Sequence, residues 1–198
     1  MKFDRLVVAS KNPDKIKEIA EVLAGSGLGL ELVDGLSWPN IEETGETLEE
    51  NALKKAREVF DATGIPSVAD DTGLFVNALG GLPGVNTARF AGPHATYADN
   101  VARLLEELKG IEDRTASFRS VVALVAENDE LIAEGVLDGF IALAPRGSGG
   151  FGYDPVFEVS NGRTLAELDA NTKNMLSHRA TALRNLFGAL ASPGLNQT

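Results

Sequence analysis

Apolar residues recur along this 198-residue chain with two periods, and the switches between them mark out the elements. Leu6 to Ala9 is apolar and β-branched and reads as a first strand; Glu31 to Val33 reads as a second. Between them, Asn12-Pro13-Asp14 predicts a helix start, with Asn12 as N-cap and Pro13 at the first helical position. That helix runs to about Leu23 and stops at Gly25. A second helix opens at Thr47, where Thr47-Leu48-Glu49-Glu50 is a capping box, and closes at Gly64. Ile65 to Ala69 predicts a strand ending in the acidic pair Asp70-Asp71, and Thr96 to Leu108 a third helix. Ser117 to Ala126 and Leu131 to Leu143 are long β-type runs separated by Glu127-Asn128-Asp129-Glu130, the pattern of an antiparallel hairpin. A final helix covers roughly Lys173 to Leu190, with Leu176, Ala180, Leu183 and Phe187 on one face, and Ser192 to Thr198 reads as a frayed tail. Helices alternating with strands, followed by a long hairpin, predict an α/β protein with a mixed sheet.

Composition narrows the class. The length suits one domain, residues 1–198, with a single core, or two lobes sharing one chain-wide core. No cysteine is present, which excludes disulfides, thiolate chemistry and cysteine-ligated metal, and fits a reducing compartment. The charged start, Met1-Lys2-Phe3-Asp4-Arg5, lacks a signal peptide's apolar stretch, and no later run approaches the ~18 apolar residues of a membrane span. A cytoplasmic protein without a membrane partner is expected. Eighteen basic against 29 acidic side chains give a net charge of −11, which argues against a nucleic-acid partner. It does not exclude a small anion held by a few converging cations.

Five segments carry candidate chemistry. Ser10-Lys11-Asn12-Pro13-Asp14-Lys15 joins a strand to a helix, where free backbone N–H groups and the positive end of the helix dipole suit a phosphate. The glycines of a Walker loop are missing, and in isolation the segment reads first as a capped surface helix with an exposed lysine. Glu42-Glu43-Thr44-Gly45, taken alone, reads as a solvated turn. Asp70-Asp71-Thr72-Gly73 places neighbouring carboxylates at a strand's end, where they repel unless a cation or proton intervenes. Carboxylates from two loops with substrate phosphate oxygens form a usual ligand set for Mg²⁺; the plainer reading is an aspartate cap for a short helix near Leu74. Gly147 to Pro155 surrounds Phe151 and Tyr153 with glycines, so that backbone can approach a flat ligand while Phe151 offers a stacking face. Lys173 and Ser177-His178-Arg179 stand at the start of the last helix, some of them in its lead-in. His94 reads as an ordinary surface histidine.

In this order, Ser10–Lys15, Glu42–Gly45, Glu50–Ala52, Ala69–Leu74, Gly149–Pro155 and Ser177–Arg179 resemble the inosine triphosphate pyrophosphatase family, which removes non-canonical purine nucleotides. The resemblance spans nearly the whole chain and is specific in combination. It implies an elongated mixed sheet with flanking helices forming two lobes around a nucleotide cleft, in a homodimer. It implies hydrolysis of ITP, dITP and XTP to the monophosphate and pyrophosphate. By that similarity Ser10, Lys11, Asn12, Pro13, Asp14 and Lys15 hold the triphosphate, Lys55 reaches the phosphates and Thr72 touches substrate. Glu42 and Asp71 take Mg²⁺, with Asp71 the general base. Phe151, Gly152, Tyr153 and Asp154, then Lys173, His178 and Arg179, form the base-binding side.

A pocket donating hydrogen bonds to the purine 6-oxygen, from Arg179, His178 or backbone N–H groups, would meet adenine donor against donor. Such a mismatch costs about 1–3 kcal/mol for each unpaired group. Excluding guanine requires a further device at its 2-amino group. Two competing readings are a sibling pyrophosphatase for modified pyrimidine or methylated nucleotides, and a nucleotide-binding regulator without catalysis.

Overall fold

The computed structural model describes residues 3–191, so the tail at 192–198 lies outside the described residues. The protein is a mixed α/β structure whose strands lie in the order β2-β1-β3-β5-β6-β7, with β4 paired to β3. The strands are β1 (Arg5–Val8), β2 (Glu31–Leu32), β3 (Ser67–Val76), β4 (Pro83–Gly84), β5 (Thr115–Ala126), β6 (Asp129–Ile141) and β7 (Phe157–Glu158). The helices are α1 (Pro13–Gly25), α2 (Leu48–Thr63), α3 (Tyr97–Glu107), α4 (Ala170–Leu176) and α5 (His178–Ala191). No helix among the described residues is long and apolar enough to cross a membrane.

The caps predicted at Asn12 and Thr47 form as local chemistry dictates, and the structure adds a third at Thr96. Asn12 accepts from the Asp14 amide at 2.9 Å with Pro13 in the first turn. Thr47 and Glu50 close a reciprocal capping box, and Gly64 ends α2 in the left-handed region at φ 66°, where a side chain would be strained. Thr96 and Asp99 cap α3 in the same way.

Two predictions need correction. β3 does not end at the acidic pair but continues to Val76, because Leu74 and Phe75 pair with Gly84 and Pro83. A Cβ on Gly73 would lie 2.8 Å from the Gly84 carbonyl oxygen, so the glycine is what lets β4 approach. The single final helix is two helices, broken at Ser177 in an extended conformation (φ −56°, ψ 132°). Leu176 accordingly leaves the expected face and is exposed, while Ala180, Leu183 and Phe187 are buried.

The chain divides into two compact units, the first drawn from Met1–Asp71, Ser120–Gly135 and His178–Thr198, the second from Thr72–Arg119 and Val136–Ser177. Buried apolar side chains form a cluster within each. In the first, Leu6, Val8, Ile19, Leu23, Val68, Leu124, Leu183 and Leu186 pack together, and α1 lies on α5. In the second, Leu74, Leu104, Leu108, Phe118, Ile141, Phe157 and Leu165 do so. Phe118 and Phe157 meet at 4.6 Å between ring centroids, a separation typical of favourable aromatic pairs.

Candidate active site

In the first unit β1 is central, with β2 parallel on one side and β3 parallel on the other. The chain leaves β1 through α1 to β2 and later returns to β1's other flank, so the β1/β3 boundary is a topological switch point. In open α/β sheets such points are where ligands bind, beyond the strands' carboxyl ends. The register aligns Val8 with Val68, and extending it puts Ser10 level with Asp70. The strand-to-helix corner and the acidic pair are thereby neighbours across two parallel strands. At the corner the Ser10 hydroxyl accepts from the Asn12 amide at 3.1 Å, Asn12 is engaged as cap, and Lys11 is exposed.

Successive strand residues point to opposite faces, and this separates the two aspartates. Asp70, 2% exposed, meets Lys15 Nζ at 3.1 Å and Arg179 Nε at 2.9 Å. Arg179 also pairs with Glu18 on α1. Burial pushes Asp70's carboxyl up, but Lys15, Arg179 and Lys55 outweigh it and hold the group far below the ordinary carboxylate range. Asp70 is thus favoured as a carboxylate and engaged by cations.

Asp71 turns to α2. Its Oδ2 accepts from Asn51 Nδ2 at 3.0 Å and its Oδ1 stands 3.5 Å from Lys55 Nζ. Burial, reinforced by Glu43 and opposed by Lys55, raises its pKa. A carboxylate moved toward neutrality is suited to proton exchange with water, where a locked one is not. Lys55 donates to the Asp70 carbonyl at 2.7 Å and pairs with Glu43; these acids keep it charged against burial. Lys15 shifts the other way: burial lowers its pKa, Lys55 and Arg179 add repulsion, and Asp70 compensates only in part. An ammonium with unmet demand for negative charge, beside a helix N-terminus, is a setting that an incoming phosphate would stabilise.

Glu43, not Glu42, is the acid seen in contact with this cluster, through Lys55; Glu42 is exposed one residue earlier in the same loop. Arg179, expected beside the base, is 3% exposed and holds Asp70 and Glu18. His178, also buried, begins α5 where that helix sits directly on β6: a Cβ on Gly135 would collide with the His178 carbonyl.

The second unit contains Thr72, Phe151, Gly152, Tyr153, Asp154 and Lys173. Asp154 Oδ2 accepts from the Phe151 amide at 2.8 Å and from Lys173 Nζ at 2.9 Å. Lys173 lies 4.8 Å from the Phe151 ring centroid, and Tyr97 packs 6.1 Å from the same ring, so the aromatic plane is held on two sides. Gly150 at φ 70° has no room for a Cβ, which would overlap the Asp154 carboxylate. Tyr153 is a core residue whose hydroxyl donates to the Thr87 carbonyl at 3.0 Å. Phe151, not Tyr153, is the ring available as a platform. Sequence reading passed over Glu18 and Asn51; Glu18 was signalled by its place one turn after Lys15, and Asn51 by its place inside Glu50-Asn51-Ala52.

A cation-bearing strand-to-helix corner at a switch point, with two aspartates shifted in opposite directions beside it, gives this α/β protein a setting suited to an anion and to acid–base chemistry. The family model for the Ham1 family matches residues 6–189, and the chain belongs to that family. A protein named dITP/XTP pyrophosphatase from Aromatoleum aromaticum is 49% identical over 195 residues, covering 96% of this chain and 98% of that one. One of the same name from Mycobacterium tuberculosis is 48% identical, covering 95% and 96%. Among solved structures, a HAM1 protein from Coxiella burnetii matches with TM-score 0.88 at 44% identity over 96% of this chain and 99% of that one. A nucleoside-triphosphatase / dITP/XTP pyrophosphatase from Mycobacterium abscessus matches with TM-score 0.73 at 46% identity, over 96% and 98%.

Proposed function

We propose that this protein is a nucleoside triphosphate pyrophosphatase that hydrolyses ITP, dITP and XTP to the monophosphate and pyrophosphate, with magnesium. The observation that carries the proposal is Asp71, buried and raised in pKa, beside Lys55, next to the Lys15–Asp70 ion pair at the switch point. The names of the relatives support the substrate class.

Among the described residues no group of three or more histidine or acidic side chains stands ready as a metal cage. Two carboxylates from separate segments, Glu42 and Asp71, are donors of the kind magnesium takes, its octahedron being completed by phosphate oxygens and water. The loop bearing Glu42 is tied to Asp71, since Asn51 accepts from the Gly45 amide at 2.8 Å and donates to Asp71 at 3.0 Å. Glu42 and Asp71 would hold the ion. When bound it would draw charge from the phosphate oxygens.

The chain's own residues supply the remainder. The Ser10–Lys15 corner would orient the triphosphate, with Lys15 and Lys55 stabilising charge on the departing pyrophosphate. Asp71 would take a proton from water as its oxygen bonds to the α-phosphorus and the bond from that phosphorus to the bridging oxygen breaks. Phe151 would stack on the base, with Asp154 and Lys173 fixing the ring. We place the enzyme in the cytoplasm as a homodimer within the same proposal; Val136, Phe140 and Leu143, apolar and exposed, support a covered face. Ion-exchange analysis of the products from ITP and Mg²⁺ tests the activity: IMP with pyrophosphate is expected, and IDP with orthophosphate would overturn it.

A further inference from the structure

Asn51 is buried on α2, 1% exposed, on the helix face that also presents Leu48, Ala52, Lys55 and Val59 inward. A polar side chain there must have both ends of its amide satisfied. Its Oδ1 accepts from the Gly45 amide at 2.8 Å and its Nδ2 donates to Asp71 Oδ2 at 3.0 Å. The orientation is forced: a backbone N–H can only donate, so oxygen must face Gly45, which leaves the NH₂ for the carboxylate.

The loop is held against α2 at further points. Glu50 Oε2 takes the Glu46 amide at 2.7 Å and the Thr47 amide at 3.3 Å. A Cβ on Gly45 would sit 2.7 Å from Glu50 Cβ and 2.8 Å from Asn51 Oδ1, so the approach exists only with glycine. Glu42-Glu43-Thr44-Gly45 is therefore not a solvated turn but a segment clamped to the first turn of α2; Asn51 links its backbone to the Asp71 carboxylate, and Lys55 links Glu43 to the Asp70 carbonyl.

We infer that Asn51 is a positioning residue that sets Asp71 and the Glu42–Gly45 loop in register with each other, so that acids from two separate segments serve one reaction. The inference rests on the proposed pyrophosphatase reading. It assigns no contact between Asn51 and substrate.

Three variants separate the two arms. Asn51→Asp keeps an oxygen for Gly45 but faces Asp71 with a second carboxylate. Gly45→Ala displaces the loop and leaves the Asp71 contact in place. Asn51→Ala removes both. Turnover of ITP is measured with Mg²⁺ saturating, and Mn²⁺ affinity is read by electron paramagnetic resonance in the presence of α,β-methylene ITP.

Each variant is expected to lose about 10–100-fold in kcat with KM for ITP within about threefold, and to bind Mn²⁺ about tenfold more weakly or worse, as supporting partners of metal ligands do. Wild-type kcat and Mn²⁺ affinity in folded Asn51→Asp would overturn the inference, as would a loss confined to KM. Should Asn51→Ala fail to fold, the near-isosteric Asn51→Asp decides. A wild-type protein that leaves ITP intact overturns the proposed function instead, and the Mn²⁺ measurement still reads the clamp.

Discussion

Replacing Asp70 with asparagine probes the electrostatic centre of the first unit. Asp70 is buried, its Oδ2 lying 3.1 Å from Lys15 and 2.9 Å from Arg179. Removing one partner of a buried ion pair costs about 3–5 kcal/mol, because the remaining charge is stranded. Here two cations lose their carboxylate, Arg179 retaining Glu18 and Lys15 retaining less. Asparagine still offers one oxygen to a donor, which places the cost near the lower bound, about 3 kcal/mol. At roughly 2–4 °C per kcal/mol for a chain of this size, the melting temperature should fall by roughly 6–12 °C.

The pH dependence has a definite sign. Asp70's folded pKa is depressed, so its stabilisation is complete above its unfolded value of about 4 and is lost as pH falls through the folded value. Calorimetry of both proteins between pH 7 and 3 should show a constant gap down to about pH 5 that narrows in more acid buffer. A melting temperature within ~2 °C of wild type at pH 7, or a gap that widens toward acid, would refute the reasoning.

Other outcomes follow from single contacts. Asp71→Asn should lower turnover of ITP by ~100-fold or more while calorimetric binding of α,β-methylene ITP persists; near-normal turnover would remove Asp71 as base. Gly150→Ala introduces a Cβ at φ 70° into the Asp154 carboxylate that anchors Phe151 and Lys173. It should cost about 1–3 kcal/mol of stability and raise KM for ITP more than it lowers kcat, which denaturant melts and steady-state kinetics check. Tyr153→Phe removes the bond to the Thr87 carbonyl and should cost about 1 kcal/mol in the same melts with kcat unchanged, since Tyr153 acts as core and not as platform.

Features decided by neighbouring residues were legible in the sequence. The caps at Asn12 and Thr47 and the left-handed stop at Gly64 lie where side-chain chemistry requires them. What depends on distant partners was not. β3 continues past Asp71 because Pro83 and Gly84 pair with it, and nothing near Asp71 announces them. Ser177 breaks the last helix without proline or glycine as a marker. Among the site residues, the corner at Ser10–Lys15 and the acidic pair were visible as types at a spacing. The division of labour between Asp70 and Asp71 was not, because it arises from strand alternation against α1 and α5 on one face and α2 on the other. Arg179 shows the same limit: an arginine in a recognisable motif invites contact with a ligand, whereas its burial commits it to Asp70 and Glu18.

The central claim is that water attacks the α-phosphorus. Hydrolysis of ITP with Mg²⁺ in ¹⁸O-labelled water, followed by mass spectrometry of both products under single turnover, tests it directly. One labelled oxygen in the phosphate of IMP and none in pyrophosphate is the predicted result. Label in pyrophosphate would place the attack on the β-phosphorus and contradict the account.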